Sequence, residues 1–201
     1  MGKITKEDIE KLQLEEVKGE VLGMALKEDL RFVLEKEGLE GLKKVENEME
    51  KWGYPLKYKE IKDFQWYPEN RNLVLFVIQK TLDWSDEDMR EMGRWVAKIS
   101  FLARLMMKYF VSLHRVAQEV NNYWRKAHTT GLLEVAKLDE KEHILILELK
   151  HFNTIHPAHC RYLEGYFWQI ASYVLPKESL RVKELECGLF ANKSHKFKIS
   201  W

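Results

Sequence analysis

The sequence has few cysteines, few prolines and no long apolar run. Its 201 residues include two cysteines and four prolines, which are too few for an extracellular scaffold held together by disulfides. No stretch approaches the roughly 18 apolar residues of a membrane-spanning helix, and the first ten residues are charged rather than signal-like. These absences predict a cytoplasmic protein with no membrane span.

Neither sign of charge is in excess. There are 33 lysines and arginines against 32 aspartates and glutamates, a formal net charge of +1. Because nucleic-acid binding draws on clustered positive charge, the composition argues against a nucleic-acid partner. The chain also lacks a glycine-rich phosphate loop, a nucleophile elbow and the spacing of a zinc-protease helix. We therefore name no catalytic residue and favour a protein that is not an enzyme, although enzymes as a class stay open.

The first half has the periodicity of helices. Apolar residues recur at three-to-four spacing over residues 21–34, and Gly38 is placed to end that helix. A serine-led capping signal predicts a further helix over 85–98. The strongest amphipathic stripe, over 101–124, predicts a long central helix. The role of residues 54–78 stays open, because this stretch mixes aromatic residues, charges and prolines with a short apolar run.

The second half changes to strand periodicity. Residues 132–138 and 143–150 flank a polar turn and predict a hairpin. A helix over 157–175 begins at a proline, and two strands, 180–187 and 195–201, close the chain. The pattern predicts an α+β fold: a helical N-terminal half, a long central helix, and a C-terminal antiparallel four-strand sheet with a crossing helix. We predict one domain over 1–201, with a helical part over about 1–84 and a core over about 85–201.

Nitrogen and sulfur ligands for a metal collect near the end of the chain. His156 and Cys160 lie four residues apart at a helix start, and therefore on one face. His195 shares its strand parity with apolar residues, and Cys187 can face the same interior. Cys160, Cys187 and His195, with His156 or His159 as the fourth ligand, form a set suited to tetrahedral zinc. The alternative is two buried cysteines and a hydrogen-bonded histidine.

The same segment resembles a known family. Cys160-Arg-Tyr-Leu-Glu-Gly165-Tyr-Phe, followed by Glu186-Cys187 and, eight residues later, His195-Lys-Phe197, is similar to the C-terminal part of 4-vinyl reductase-type small-molecule-binding domains. More loosely, the helical half resembles the superfamily that includes haem-based nitric-oxide sensors and subunits of the TRAPP transport complex. Histidine stands at 195 where the family usually has a third cysteine. The substitution keeps a zinc ligand possible and excludes a disulfide at that position.

The superfamily resemblance calls for a test of haem. His114 lies on the predicted central helix, but its surroundings are those of an ordinary, partly buried histidine. The tyrosine, serine and arginine cluster that holds haem propionates in the nitric-oxide sensors is not visible in this sequence. The sequence therefore argues against haem.

The chain is rich in aromatic residues, with seven tryptophans. Some of them can line an apolar cavity between the long helix and the sheet, with Arg115 or Arg104 as a partner for a ligand carboxylate. The candidate ligand-binding residues are Phe110, Arg115, Phe167 and Trp124; ordinary core packing is the alternative.

The resemblance implies a non-catalytic binding or sensor domain for a hydrophobic small molecule, as a homodimer, with a structural zinc site possible. Two alternatives stay open. One is a dimeric interaction module like the transport-complex subunits. The other is an accessory factor or reductase acting on a tetrapyrrole vinyl group, although no dinucleotide fingerprint is present to supply a hydride.

Overall fold

The computed structural model describes residues 4–100, 103, 112–152, 154–189 and 194–201. Helices dominate the N-terminal half of these residues, with a two-stranded ribbon beside them. The elements are α1 (Lys6–Glu10), β1 (Glu20–Leu22), α2 (Gly23–Lys51), β2 (Trp66–Pro68), α3 (Leu73–Thr81) and α4 (Asp86–Ile99). Strands β1 and β2 pair antiparallel. The segment over 54–78, whose role was left open, thus contributes one ribbon strand and a helix.

Helix α2 contains the break that the sequence predicts. Gly38 has φ +70°, outside the helical region, and a positive φ is a conformation that glycine adopts without steric cost. Before the break the helix buries Leu26, Leu30 and Val33. After it the helix buries a second apolar set, whose members include Val45 and Met49. The glycine therefore lets two straight halves each bury their own apolar face.

The short apolar run at the start of α3 is helical. Six consecutive residues, Leu73–Ile78, are buried, so this stretch of the helix is covered on all sides by protein. The start of α4 is a full capping box: Ser85 Oγ accepts from Asp88 N–H, and the Asp88 carboxylate accepts from Ser85 N–H. Two orphan donors of the helix terminus are satisfied in this way.

The C-terminal half carries the predicted sheet. Its elements are α5 (Leu113–Trp124), β3 (Leu132–Asp139), β4 (Ile144–Lys150), α6 (Pro157–Ala171), β5 (Arg181–Glu186) and β6 (His195–Ser200). The strand order is β3-β4-β6-β5 and every pairing is antiparallel. The predicted α+β class, with a four-strand sheet and a crossing helix, is confirmed. Only the second part of the predicted central helix falls within the described residues, as α5; positions 101–102 and 104–111 lie outside them.

One face of the sheet forms the core beneath α5 and α6. Leu145, Leu147 and Leu149 of β4 are buried, and so are Phe197 and Ile199 of β6. This alternation follows the two-residue period of a strand. Helix α6 links the two halves of the fold, because its other face packs closely on α4.

Glycine makes the contact between α4 and α6 possible. A Cβ atom at Gly165 would lie 1.9 Å from the Arg90 carbonyl oxygen, and one at Gly93 would lie 2.0 Å from the Tyr162 carbonyl oxygen. Both distances are far below van der Waals contact, so the two helix backbones touch where both side chains are missing. This crossing positions α6, from which the residues of two pockets project.

Within the part of the chain that the structure describes, no helix combines the length and apolar character needed to cross a membrane.

Candidate functional site

A pocket of about 60 Å³ lies among the helices α2 to α6; we call it the central pocket. Its walls are largely aromatic and aliphatic, and they carry a few polar groups. Its principal lining residues are Met24, Glu28, Asp29, Asn72, Leu75, Val96, Tyr123, Trp124, His128, His159, Tyr162 and Tyr166. Mostly apolar walls with a few polar groups are typical of small-molecule sites, although this pocket is smaller than most of them.

Asp29 is the buried carboxyl of this pocket. Only 4% of the residue is exposed, and its Oδ1 atom has no hydrogen-bond partner. Burial raises the pKa of Asp29 well above its ordinary value, and a hydrogen bond with Tyr162 only partly opposes the rise. Burial therefore favours the protonated, uncharged form of Asp29.

His159, on α6, is the buried imidazole of the central pocket. Its Nδ1 atom has no hydrogen-bond partner, and the ring packs edge-on against Phe152 and Tyr162. Burial lowers the pKa of His159 to about 3. The ring is therefore neutral at physiological pH, which is the form of imidazole that binds metals.

A carboxylate pairs with a second histidine of the pocket, His128. The Oε1 atom of Glu69, a residue that is almost wholly buried, lies 3.0 Å from His128 Nδ1. The His128 ring stacks on Trp124 at a centroid distance of 4.2 Å. These two contacts fix the orientation of His128 at the pocket wall.

A second, apolar pocket of about 40 Å³ lies between α5, α6 and the sheet; we call it the apolar pocket. Its walls include Val116, Leu133, Leu147, Phe167 and Ile199. Tyr123, Trp124 and Tyr166 line both pockets. The hydroxyls of Tyr123 and Tyr166 are hydrogen-bonded to each other, so this tyrosine pair stands between the two spaces.

The predicted ligand-binding residues are distributed unevenly. Trp124 lines both pockets and Phe167 lines the apolar pocket. Arg115 is exposed and lines neither pocket, so its position gives no support to the predicted carboxylate contact. Phe110 lies outside the described residues.

The structure brings together three of the four predicted metal-site residues. Cys160 Sγ lies 3.8 Å from Cys187 Sγ and 3.6 Å from His195 Nδ1. Glu184 joins them, and one ligand atom from each of the four lies within 4.8 Å of the others. His156 is not part of this cluster, because its Nδ1 caps α6 by accepting from Ala158 N–H.

Hydrogen bonds already satisfy the polar atoms of this cysteine cluster. His195 Nδ1 accepts from Gly188 N–H at 3.1 Å, and its Nε2 is hydrogen-bonded to the Thr154 hydroxyl. The hydrogen bond between the two thiols raises the pKa of Cys160, and burial raises it further. The same bond lowers the pKa of Cys187 to about 6. Neither ring nitrogen of His195 therefore offers a free lone pair to a metal in this arrangement.

His114, the histidine considered for haem from the sequence, does not face either pocket. Its side chain is 68% exposed, and its Nδ1 lies 3.6 Å from the Glu140 carboxylate. The sequence did not bring Asp29 and His159 together as pocket residues, although the pattern around Asp29 is informative. It lies three residues after Leu26 and four before Val33, in the middle of the buried stripe of α2.

No protein-family model matches the chain, and no curated protein matches it. Solved structures do resemble it, and the similar ones described here are H-NOX domains. One is an H-NOX protein from S. oneidensis in the Fe(II)NO ligation state, with TM-score 0.62 and 13% identity over 89% of this chain and 98% of that one. Another is an oxygen-binding H-NOX domain related to soluble guanylate cyclases, with TM-score 0.58 and 14% identity over 89% and 93%. A third, from work on haem distortion in the H-NOX family, has TM-score 0.60 and 15% identity over 89% and 94%.

These neighbours correct three expectations. The resemblance to 4-vinyl reductase-type domains is wrong, since the similar folds are H-NOX domains. Zinc as the cofactor is not supported: the neighbours are haem proteins, and His195 is already hydrogen-bonded at both nitrogens. The expectation that haem is unlikely, which depended on His114 and on a missing propionate motif, is also contradicted, because the similar structures are described as haem domains. At 13–15% identity the likeness establishes the fold alone, and this chain has the fold of H-NOX domains.

Proposed function

We propose that this chain is a non-catalytic binding domain that holds a haem-type small molecule in its central pocket and serves as a sensor. The observation that supports the proposal most directly is His159, a buried and neutral imidazole with an unpartnered nitrogen on the wall of that pocket. The shared fold supports it independently, since the similar solved structures include domains described by their haem and by their NO and oxygen complexes.

The walls of the central pocket carry groups that suit a haem-type molecule, and the pocket, at about 60 Å³, would have to widen to admit one. A neutral imidazole is a ligand that haem iron accepts, and His159 would hold the iron through its Nδ1 atom. The pocket walls also offer broad aromatic surfaces, which suit a flat ring system. They belong to Tyr123, Trp124, Tyr162 and Tyr166. When bound, the group would supply an iron centre able to bind a diatomic gas.

The surroundings of the central pocket favour the binding of a small molecule over catalysis. The apolar pocket adjoins the central pocket behind the Tyr123–Tyr166 pair, so the ring system would lie against hydrocarbon that excludes water. Trp124 and Phe167, two of the predicted ligand-binding residues, form part of this wall. The alternative of a reductase acting on a tetrapyrrole vinyl group has no comparable observation in its favour.

The proposal is tested by titrating the full chain with iron protoporphyrin IX and following the Soret band. We expect stoichiometric binding with the spectrum of a histidine-ligated haem. His159→Leu should weaken binding at least tenfold or change the ligation spectrum. The matched control, His114→Leu, removes an exposed imidazole and should leave both unchanged.

Circular dichroism of each variant shows whether the fold is intact. A wild-type protein that takes up no haem would overturn the proposed function. Binding that depends on His114 and not on His159 would place the ligand elsewhere in the fold.

A further inference from the structure

Two thiols lie close together outside the two pockets, in the cysteine cluster. Cys160 is fully buried in the first turn of α6, whereas Cys187, just beyond β5, is partly exposed. Their sulfur atoms are 3.8 Å apart, and a disulfide requires a separation of about 2.05 Å. Cys187 follows Glu186, the last paired residue of β5, so the hydrogen bonds of the strand do not oppose the remaining approach of roughly 2 Å.

The surroundings of the two thiols make them unequal in reactivity. The thiolate is the nucleophilic form of cysteine, and it reacts only where a reagent can reach it. Cys187 accepts hydrogen bonds from the Cys160 thiol and from the backbone N–H of Leu189, and both favour a thiolate at Cys187. The Glu184 carboxylate, which would oppose a thiolate, is paired with Arg161 at 2.7 Å. Cys187 is therefore the sulfur that reacts first, and the buried Cys160 is the partner beside it.

A polar cleft gives a small reagent access to this pair. The cleft has a volume of about 400 Å³, and Thr154 and Gly188 form part of its wall. Gly188 directly follows Cys187. Thr154 is hydrogen-bonded to His195, whose Nδ1 atom lies 3.6 Å from the Cys160 sulfur. The cleft therefore borders the cysteine cluster, and its volume is many times the space that one water molecule needs.

We propose that Cys160 and Cys187 form a reversible thiol–disulfide couple, in which a small hydroperoxide oxidises Cys187 and Cys160 then closes the disulfide. The inference does not depend on the proposed function, because neither cysteine lines the central pocket or the apolar pocket.

The oxidation has two steps. First, the Cys187 sulfur attacks the peroxide: an S–O bond forms, the O–O bond breaks, and the leaving oxygen takes up the proton that the Cys187 thiol has given up. Second, the Cys160 sulfur attacks the sulfenic acid at Cys187: the S–S bond forms, the S–O bond breaks, and hydroxide leaves as water with the Cys160 proton. The two thiols lose two electrons, and the peroxide gains them. A dithiol reductant reverses the change.

The test treats the reduced full chain with hydrogen peroxide in a buffer that contains a metal chelator and no porphyrin. Mass spectrometry after alkylation counts the free thiols, and peptide mapping identifies the residues that are linked. A non-reducing gel separates single chains from cross-linked dimers. Two matched variants, Cys160→Ser and Cys187→Ser, are treated in the same way, with and without dimedone to trap a sulfenic acid.

In the wild type we expect the loss of both thiols, a link between Cys160 and Cys187 within one chain, and the return of both thiols with dithiothreitol. Cys160→Ser should accumulate a sulfenic acid at Cys187, because no thiol remains to resolve it. Cys187→Ser should lose its remaining thiol at least about tenfold more slowly than Cys160→Ser does, since that thiol is buried. Circular dichroism shows whether each variant is folded.

Thiols that stay reduced in the wild type would overturn the inference, and so would a disulfide that forms only between chains. Equal oxidation rates in the two folded variants would contradict the role of Cys187 as the first sulfur to react. The wild-type result needs no substitution, so it decides the matter even if a variant does not fold.

Discussion

At the scale of single residues, the protonation of His159 makes the stability of the fold depend on pH. Its ring is wholly buried, and burial lowers its pKa from 6.5 to about 3. Between these two values the unfolded chain binds a proton on this ring and the folded chain does not. The free energy of unfolding therefore falls as the pH is lowered through that window.

We predict that the ligand-free protein loses stability steadily from about pH 6.5 down to about pH 3. His159 alone should contribute a slope of at most roughly 1.4 kcal/mol per pH unit. Urea unfolding at a series of pH values measures this, and His159→Phe should flatten the profile. His114→Gln removes an exposed histidine and should leave the slope unchanged; an equal effect of both substitutions would contradict the assignment.

Asp88 predicts a second acid-sensitive contact, at lower pH. Hydrogen bonds from Lys36 and Ser85 lower the pKa of this carboxyl from 3.8 to about 2. Its stabilising contribution is therefore complete above about pH 4 and disappears as the pH falls toward 2. Asp88→Asn should lower the melting temperature at pH 7 and leave it nearly unchanged at pH 2. An effect of Asp88→Asn that is as large at pH 2 as at pH 7 would contradict this assignment.

The residues of the site differ in how far the sequence could reveal them. Cys160, Cys187 and His195 could be brought together because helix and strand parities determine which way they face. Asp29 could have been found as a carboxyl within an apolar stripe. That His159 faces the pocket with a free nitrogen could not, because this depends on how α6 packs against α2 and α4, and no local pattern encodes that packing.

At the scale of elements, the crossing of α4 and α6 is the most constrained contact. Gly165→Ala would place a methyl group 1.9 Å from the Arg90 carbonyl oxygen, and because that atom is backbone, the helices must separate. We predict a loss of about 2–4 kcal/mol in the free energy of unfolding, measured by urea denaturation. Lys98→Ala, at an exposed position of α4, should change it by less than about 0.5 kcal/mol; comparable losses in the two variants would contradict the role of the crossing.

Most element boundaries could be predicted, because capping residues, prolines and glycines mark them. Ser85 begins α4, Pro157 begins α6 and Gly38 interrupts α2, all as expected. The run Leu73–Ile78 could not be assigned, because a helix that is buried on all sides has no polar face and therefore no period to read.

At the scale of the whole molecule, the oligomeric state stays a prediction. The expected homodimer came from a family resemblance that the solved neighbours have corrected. Light scattering across a range of concentrations decides between the chain mass of 24.1 kDa and twice that value.

A single buried carboxylate connects the pocket to the edge of the sheet. Glu164, on α6, is 2% exposed and accepts from Arg90 of α4 at 2.7 Å, from Arg161 at 2.9 Å, and from the backbone N–H of Glu184 on β5 at 2.7 Å. It lies five residues after His159 on the same helix. A displacement of α6 is therefore transmitted to β5, one of the two edge strands of the sheet, as long as these hydrogen bonds hold.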